Sequence, residues 1–524
     1  MGKSRFNQVQ RIVALLACGV ALLPGCGQKT EIVGPSPNVD SAENEIAEGP
    51  GEASVPAEKL SKDVSSHQQK TTEGNEGDTD SLNGPTRALQ PMPPRRMAND
   101  QPALNSARLK AVGIRRYESR RLVLLTDLPG ERIAGLPELA DQLFDQLEAH
   151  FGKLPPALDG SDFQVTGCVI EDVERFQSAG LMPAESFTFS HGRHLNYQFW
   201  CYSQDSDYYL RHLALHEFTH CFMTCESGLL DIPPLWYIEG MAEYFATHRV
   251  DEATKATFGV LPDSFEGYEG WGRISALERE FARGLISTDN TTRPAGALPI
   301  PPLSHVLRDV TLKSTDLDYA QWWAVSWMLQ SNPHYSVAFQ PLRHLRTRDD
   351  FISKVHEIRD TVGARLQADW LLFAESLDTG FDSGHSFPVH AESVVSLAKD
   401  ASTPATFRIA ANAEWQDSGI RLQSGQTVSI ICNGQYSVNQ PADAWVCEPQ
   451  GVSVEYYRGI PLGAVVATFV DSNGVSLTRR RFVGREATFT TENDASLWLQ
   501  VNDSCSSRSN NSGEVTVSVG LPTK

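Results

Sequence analysis

The 524-residue sequence predicts an α+β domain, mostly helical around a candidate site and carrying a small sheet, followed by an all-β sandwich. Three observations lead there. Between about 107 and 250, short apolar runs suited to strands alternate with longer helical patterns. From 270 to 380 the periodicity is mostly helical. Beyond 382–388, where Gly, Ser, Asp and His dominate, short β-rich runs separated by Gly, Asn and Asp turns take over.

The elements follow in chain order. Lys3, Arg5 and Arg11 precede an apolar run at 12–23, too short to span a bilayer and typical of a signal segment. It ends in Leu23-Pro24-Gly25-Cys26, which resembles a bacterial lipobox. Residues 1–26 are therefore expected to be a lipoprotein signal peptide, with Cys26 carrying the lipid and holding the mature chain to a membrane of the bacterial envelope. Residues 27–105 are rich in Ser, Glu, Gly and Pro and read as a disordered tether; 30–105 alone hold 13 acidic against 6 basic side chains, a net of −7.

Residues 106–383 form the first expected domain. An apolar run at 122–125 reads as a strand. Pro137 opens an amphipathic helix with Leu139, Leu143, Phe144, Leu147 and Phe151 on one face, stopped by Gly152. A second strand is expected at 163–170, and a third at 194–200 beside the site. A helix over 208–224 carries His216-Glu217-Phe218-Thr219-His220; Pro233 and Pro234 precede the helix of Glu239. A last helix is expected over 351–377. Residues 384–524 form the second domain, with strands at 428–431, 464–470, 497–501 and 515–519.

The whole-chain charge of −20 argues against a nucleic-acid partner. Setting Cys18 and Cys26 aside leaves seven cysteines, an odd number. Cys168 with Cys201, and Cys432 with Cys447 or Cys505, are candidate disulfides that sequence cannot choose between. Cys221 and Cys225 follow His220 and read as buried thiols rather than metal ligands.

The chemistry gathers at 212–243. On a helix, residues four apart differ by about 40° of rotation, so His216 and His220 point at one place. A catalytic zinc takes three protein ligands and keeps one position open. Glu239, with 18 residues between it and His220, supplies the third ligand, and Glu217 stands where a general base is needed. That spacing reads as a zinc peptidase. His212, one turn before His216, has ligand spacing but no acid to pair with, and reads as a surface or packing histidine.

Trp236-Tyr237-Ile238-Glu239-Gly240-Met241-Ala242-Glu243 after the H-E-x-x-H segment resembles the gluzincin zinc peptidases, which include thermolysin and the aminopeptidase N family. The resemblance implies that His216, His220 and Glu239 bind Zn2+, Glu217 is the general base, and Glu243 orients a ligand imidazole from behind. Tyr319, opening an apolar helix, is similar to the transition-state tyrosine of the aminopeptidase branch. The Gly-x-Met-Glu-Asn segment of that branch is missing; Met241 lies within the ligand helix, and the stretch from Gly192 to Asn196 is a poor echo. The expected activity is thus endopeptidase cleavage of a protein or peptide lying along the edge strand.

Near the C-terminus, Asp503, a six-residue loop (504–509), then Asn510-Asn511-Ser512-Gly513 bring oxygens together that suit a hard cation. With Gly425-Gln426-Thr427-Val428 and Gly434-Gln435-Tyr436 upstream, this resembles the PA-I galactophilic lectin. The resemblance implies Ca2+ held by Asp503, Asn510, Asn511 and a backbone oxygen of Ser507, beside a glycan. Two other classes fit the same sequence: a surface adhesin whose peptidase scaffold is inert, and a structural envelope lipoprotein.

Overall fold

The computed structural model describes residues 95–522 apart from 134, 184–188, 228–232, 284–297, 309–313, 346, 385, 398–402 and 439–443. The signal segment and Cys26 lie outside the described residues. Among those described, no helix is long and apolar enough to cross a membrane.

Packed structure starts earlier than composition implies. Arg96 is buried, its backbone bridges to Ala157, and its guanidinium donates to the Tyr197 hydroxyl at 2.8 Å. Hydrogen bonds to carbonyls, such as Asn99 Nδ2 to Asp162 O, fix a polar segment that could not be held by apolar burial. Residues 95–105 therefore belong to the folded body rather than to the tether. Asn105 then caps the short helix α1 (Ser106–Ala111).

A five-stranded sheet follows, made of β1 (Arg115–Glu118), β2 (Leu122–Thr126), β3 (Val165–Ile170), β4 (Gly192–Leu195) and β5 (Gln198–Tyr202), ordered β1-β2-β3-β5-β4. The central strands β2, β3 and β5 run parallel, and β1 and β4 close the edges antiparallel. Every residue of β2 and β3 is buried, as expected of parallel strands covered on both faces. The single strand expected at 194–200 is a hairpin instead. Asn196 turns the chain at φ +52°, a conformation that asparagine tolerates, and Tyr197 sits buried in the turn.

On one face of the sheet lie α2 (Leu136–Phe151) and α3 (Asp207–Ser227). Helix α3 is started by the Ser206 hydroxyl, which accepts the Tyr209 N–H. Pro234, extended at ψ 146°, precedes α4 (Leu235–Ala246). Beyond them come α5 (Arg273–Arg283), α6 (Asp316–Ser331), opened by a capping box between Thr315 and Asp318, and α7 (Arg348–Ser376). Helices α4 and α6 cross closely at Gly240: a Cβ there would meet the Trp322 carbonyl oxygen at 2.5 Å. That close approach fixes the turn of α4 that carries Glu239.

The C-terminal region is β-rich. One sheet orders Arg481–Phe482, Val465–Asp471, Ala495–Val501, Gln416–Leu422 and Val395–Ser396. The other orders Trp445–Cys447, Tyr436–Val438, Ser512–Gly520, Thr427–Asn433 and Glu486–Thr490, with Ala405–Ala410 paired to Ser512–Gly520. Alternate residues of both sheets, among them Val428, Ile430, Val465, Leu497, Val515 and Val517, share one apolar cluster. This region and the helical region belong to one compact unit. Trp415, Leu477 and Trp498 join the same apolar cluster as α3, α6 and α7.

All seven described cysteines are buried and unpaired. Register explains the first expected pair: Cys168 lies opposite Trp200 and Cys201 opposite Val169, so the two thiols point to opposite faces and enter separate cores. Neither Cys447 nor Cys505 is bonded to Cys432.

Candidate metal centre

Helices α3 and α4 bring His216, His220 and Glu239 together. The Nε2 atoms of the two histidines are 3.0 Å apart, and Glu239 Oε2 lies 3.2 Å from His220 Nε2 and 3.3 Å from His216 Nε2. A tetrahedral zinc with bonds of about 2.0–2.1 Å keeps its ligand atoms about 3.3 Å apart, so this donor set has the size such an ion needs. Both histidines are buried and Glu239 nearly so. Burial disfavours the Glu239 anion, but the charges and hydrogen bonds of His220 and His216 outweigh it and hold the carboxyl far below its usual range. Burial likewise opposes a charged His216; the Glu239 hydrogen bond and the Glu243 charge overcome it and push the imidazole up to about 9. A cluster this rich in anionic charge and imidazole nitrogen is suited to a divalent cation. The donor chemistry, two nitrogens and one oxygen, fits zinc.

Glu217 also faces this place. Its Oε2 lies 3.2 Å from His194 Nδ1, on edge strand β4, and the His194 ring stacks on His220 at 4.5 Å. Burial first, then the adjacent His220, lowers the His194 pKa, which keeps that ring neutral. Gly192, on the same strand, leaves room for the Glu217 carboxylate: a Cβ there would meet Glu217 Oε1 at 2.6 Å.

Behind the site lies a buried layer. Glu243 Oε1 is 3.5 Å from His216 Nδ1, and Glu243 Oε2 is 3.2 Å from His212 Nε2. His212 is 1% exposed, so it is no surface residue, and it does have an acid partner. The pairing escaped sequence reasoning because Glu243 sits 31 positions later, on another helix. Arg273, from α5, donates to both Glu243 oxygens, Nη2 to Oε1 at 2.8 Å and Nε to Oε2 at 3.1 Å. Burial disfavours the Glu243 anion, but Arg273 and His212 hold the carboxyl well below its ordinary value. No sequence signal singled out Arg273, an arginine between two glycine-rich turns and a helix. His194 carried a faint one, as part of the poor echo in β4.

Tyr319, at the start of α6, places its ring 6.3 Å from that of His216, with the Arg273 guanidinium 5.4 Å from the tyrosine ring centroid. Burial and the charges of Glu239, Glu217 and Glu243 raise the phenol far above its usual value. It therefore keeps its proton and can act as a donor.

The C-terminal loop is more committed than its sequence implies. Asp503 Oδ1 accepts from Ser504 N at 2.7 Å, and the Ser507 carbonyl accepts from Asn510 N. The buried Arg508 guanidinium donates to Asp503 O and pairs with Glu414. Asn511 donates to Ala411 O, while its Oδ1 is buried with no hydrogen-bond partner among the described residues.

Neither a family model nor a curated protein matches the sequence. Among solved structures, the chain is similar to the EclA N-terminal domain, a PllA-like lectin, at 18% identity and TM-score 0.19, over 23% of this chain and 98% of that one. It is similar to PliG of Aeromonas hydrophila, a periplasmic inhibitor of g-type lysozyme, at 12% identity and TM-score 0.15, over 25% of this chain and 97% of that one. The PliG of Salmonella Typhimurium gives 12% identity and TM-score 0.12, over 25% and 98%. Likenesses of this size are too slight to fix the fold.

Proposed function

We propose that the chain is a zinc-dependent metallopeptidase that cleaves peptide bonds within extended protein segments. One observation carries the reading: two imidazole nitrogens and one carboxylate oxygen, from two helices, converge within 3.0–3.3 Å beside a separate carboxylate, that of Glu217. Zinc held by His216, His220 and Glu239 supplies Lewis acidity, which acidifies water and polarises a carbonyl. Glu217 accepts the proton of the attacking water at its carboxylate and then returns it to the leaving amine. His194 Nδ1 steadies that carboxylate from the strand side. The Tyr319 hydroxyl donates to the carbonyl oxygen as negative charge develops there. A substrate strand has a natural berth: β4 ends the sheet, and no described strand pairs with its outer edge. Export, anchoring through Cys26 and a protein substrate at the bacterial envelope belong to the same proposal, supported by the leader sequence.

The purified full chain should contain zinc and hydrolyse casein. Removal of the ion with 1,10-phenanthroline should abolish cleavage, and added Zn2+ should restore it. A folded chain that takes up no zinc and leaves casein intact would overturn this reading in favour of an inert-scaffold adhesin.

A second reading concerns the β-rich region, as a calcium-dependent glycan-binding module that targets the enzyme. The buried, unpartnered Asn511 Oδ1 near the Asp503 carboxylate favours it, since burial raises the Asp503 pKa and a cation would relieve that cost. Calcium at a hundredfold excess over its Kd should stabilise the fold by about 2.7 kcal/mol. Differential scanning calorimetry with CaCl2 against MgCl2 reads this directly, and an unchanged Tm in calcium removes the module reading.

A further inference from the structure

Two triads of ligand atoms overlap in this protein. In each, the donor atoms lie within 4.8 Å of one another: His216, His220 and Glu239 form one, and His212, His216 and Glu243 the other. They share His216, whose Nε2 faces Glu239 at 3.3 Å and whose Nδ1 faces Glu243 at 3.5 Å. The second triad is at least as buried as the first. Distance and burial alone therefore do not say which one takes an ion.

The carboxylates differ in their company. Glu239 touches imidazoles, whereas Glu243 is gripped by a guanidinium in fork geometry, one N–H to each oxygen. We infer that Arg273 is a positioning residue that closes the His212–His216–Glu243 triad to metal and so confines the ion to His216, His220 and Glu239. This rests on the reading of the latter set as the zinc site.

The physical argument has two parts. A fork-bound carboxylate has its best-directed lone pairs engaged, and the guanidinium puts a full positive charge where a dication would sit. Arg273 is well placed to stay there, being buried at the first turn of α5 and lying over the Tyr319 ring. Without it, Glu243 becomes a buried anion facing two imidazoles. A buried charge without its partner is costly, and a divalent cation is the natural replacement. The displaced ion would also draw His216 away from the geometry that serves Glu239.

Cobalt makes the choice visible, because the d–d absorption of Co2+ reports its ligands and geometry without any turnover. Full-length parent protein loaded with Co2+ should give a single spectrum. R273M, which keeps an apolar stem in place of the arginine, should show a second cobalt species. Adding H212N to R273M should remove that species, since His212 belongs only to the second triad. R273K, which can engage only one Glu243 oxygen, should show the same species more weakly, and it decides the matter if R273M does not fold. A folded R273M or R273K with the parental spectrum overturns the inference. So does a new species that persists in R273M/H212N, which would make Arg273 a structural ion pair only. If the parent itself takes up no cobalt, the zinc reading fails first and takes this inference with it.

Discussion

Glu217→Gln should lower kcat on casein by about a hundredfold to ten-thousandfold while zinc content, Tm and KM stay at parental values. The size follows from the role: the substitution removes a positioned proton acceptor and nothing else. Glutamine keeps the length of the side chain and can still meet His194 Nδ1, which lies 3.2 Å from the carboxylate in the parent. It fits the same space beside Gly192, where no Cβ competes. Glu217 is not one of the converging donor atoms, so the ion should be held as before. A change confined to kcat marks an interaction needed in the transition state and not in binding. Should Glu217→Gln keep more than about a tenth of parental kcat at full zinc loading, proton transfer does not run through this carboxylate.

The three converging side chains were legible in the sequence because they obey local rules. His216 and His220 sit one turn apart on α3, and the helical period alone puts them on one face. Glu239 was legible through spacing and the two prolines before α4. The helices and central strands were legible for a similar reason: β2, β3, α2 and α7 have strong periodicity or continuous apolar runs, and each was placed to within three residues of its observed ends. The β-rich C-terminal region announced itself by its turn residues.

What stayed hidden depends on long-range contacts. Arg273 reaches Glu243 across 30 residues, and His212 reaches it across 31, so no local pattern joins them. The hairpin at Asn196 was missed because a single left-handed residue reverses a run that otherwise reads as one strand. The expected Cys168–Cys201 disulfide failed on strand register, which fixes the facing of a side chain and is not written in composition. The anchoring of residues 95–105 rests on hydrogen bonds from Arg96 and Asn99, polar side chains that resemble a tether until their partners are known.

The second large effect is expected at the junction between the helical and β-rich regions. Glu375, near the end of α7, is buried, and it accepts from Arg480 Nη2 at 3.1 Å, Arg458 Nη1 at 3.0 Å and Trp415 Nε1 at 2.9 Å. The three donors all come from beyond 384, so one carboxylate gathers the β-rich region onto the last helix. Glu375→Ala leaves the buried Arg480 side chain and the partly exposed Arg458 without their anion, and removal of one member of a buried ion pair costs about 3–5 kcal/mol. A urea titration should show the midpoint falling accordingly. The same residue predicts how acid acts. Burial opposes ionisation of Glu375, but Arg480 and Arg458 outweigh it and hold the carboxyl down to about 2, below its ordinary 4.5. Because the folded value is the lower one, its contribution is complete above about pH 4.5 and fades as pH falls toward 2. Glu375→Gln, which cannot ionise, should start from a lower Tm and lose less stability than the parent across that window. If the two proteins lose stability in parallel between pH 4.5 and 2, the junction is held by its apolar contacts around Trp415 and Trp498, and the ion network adds little.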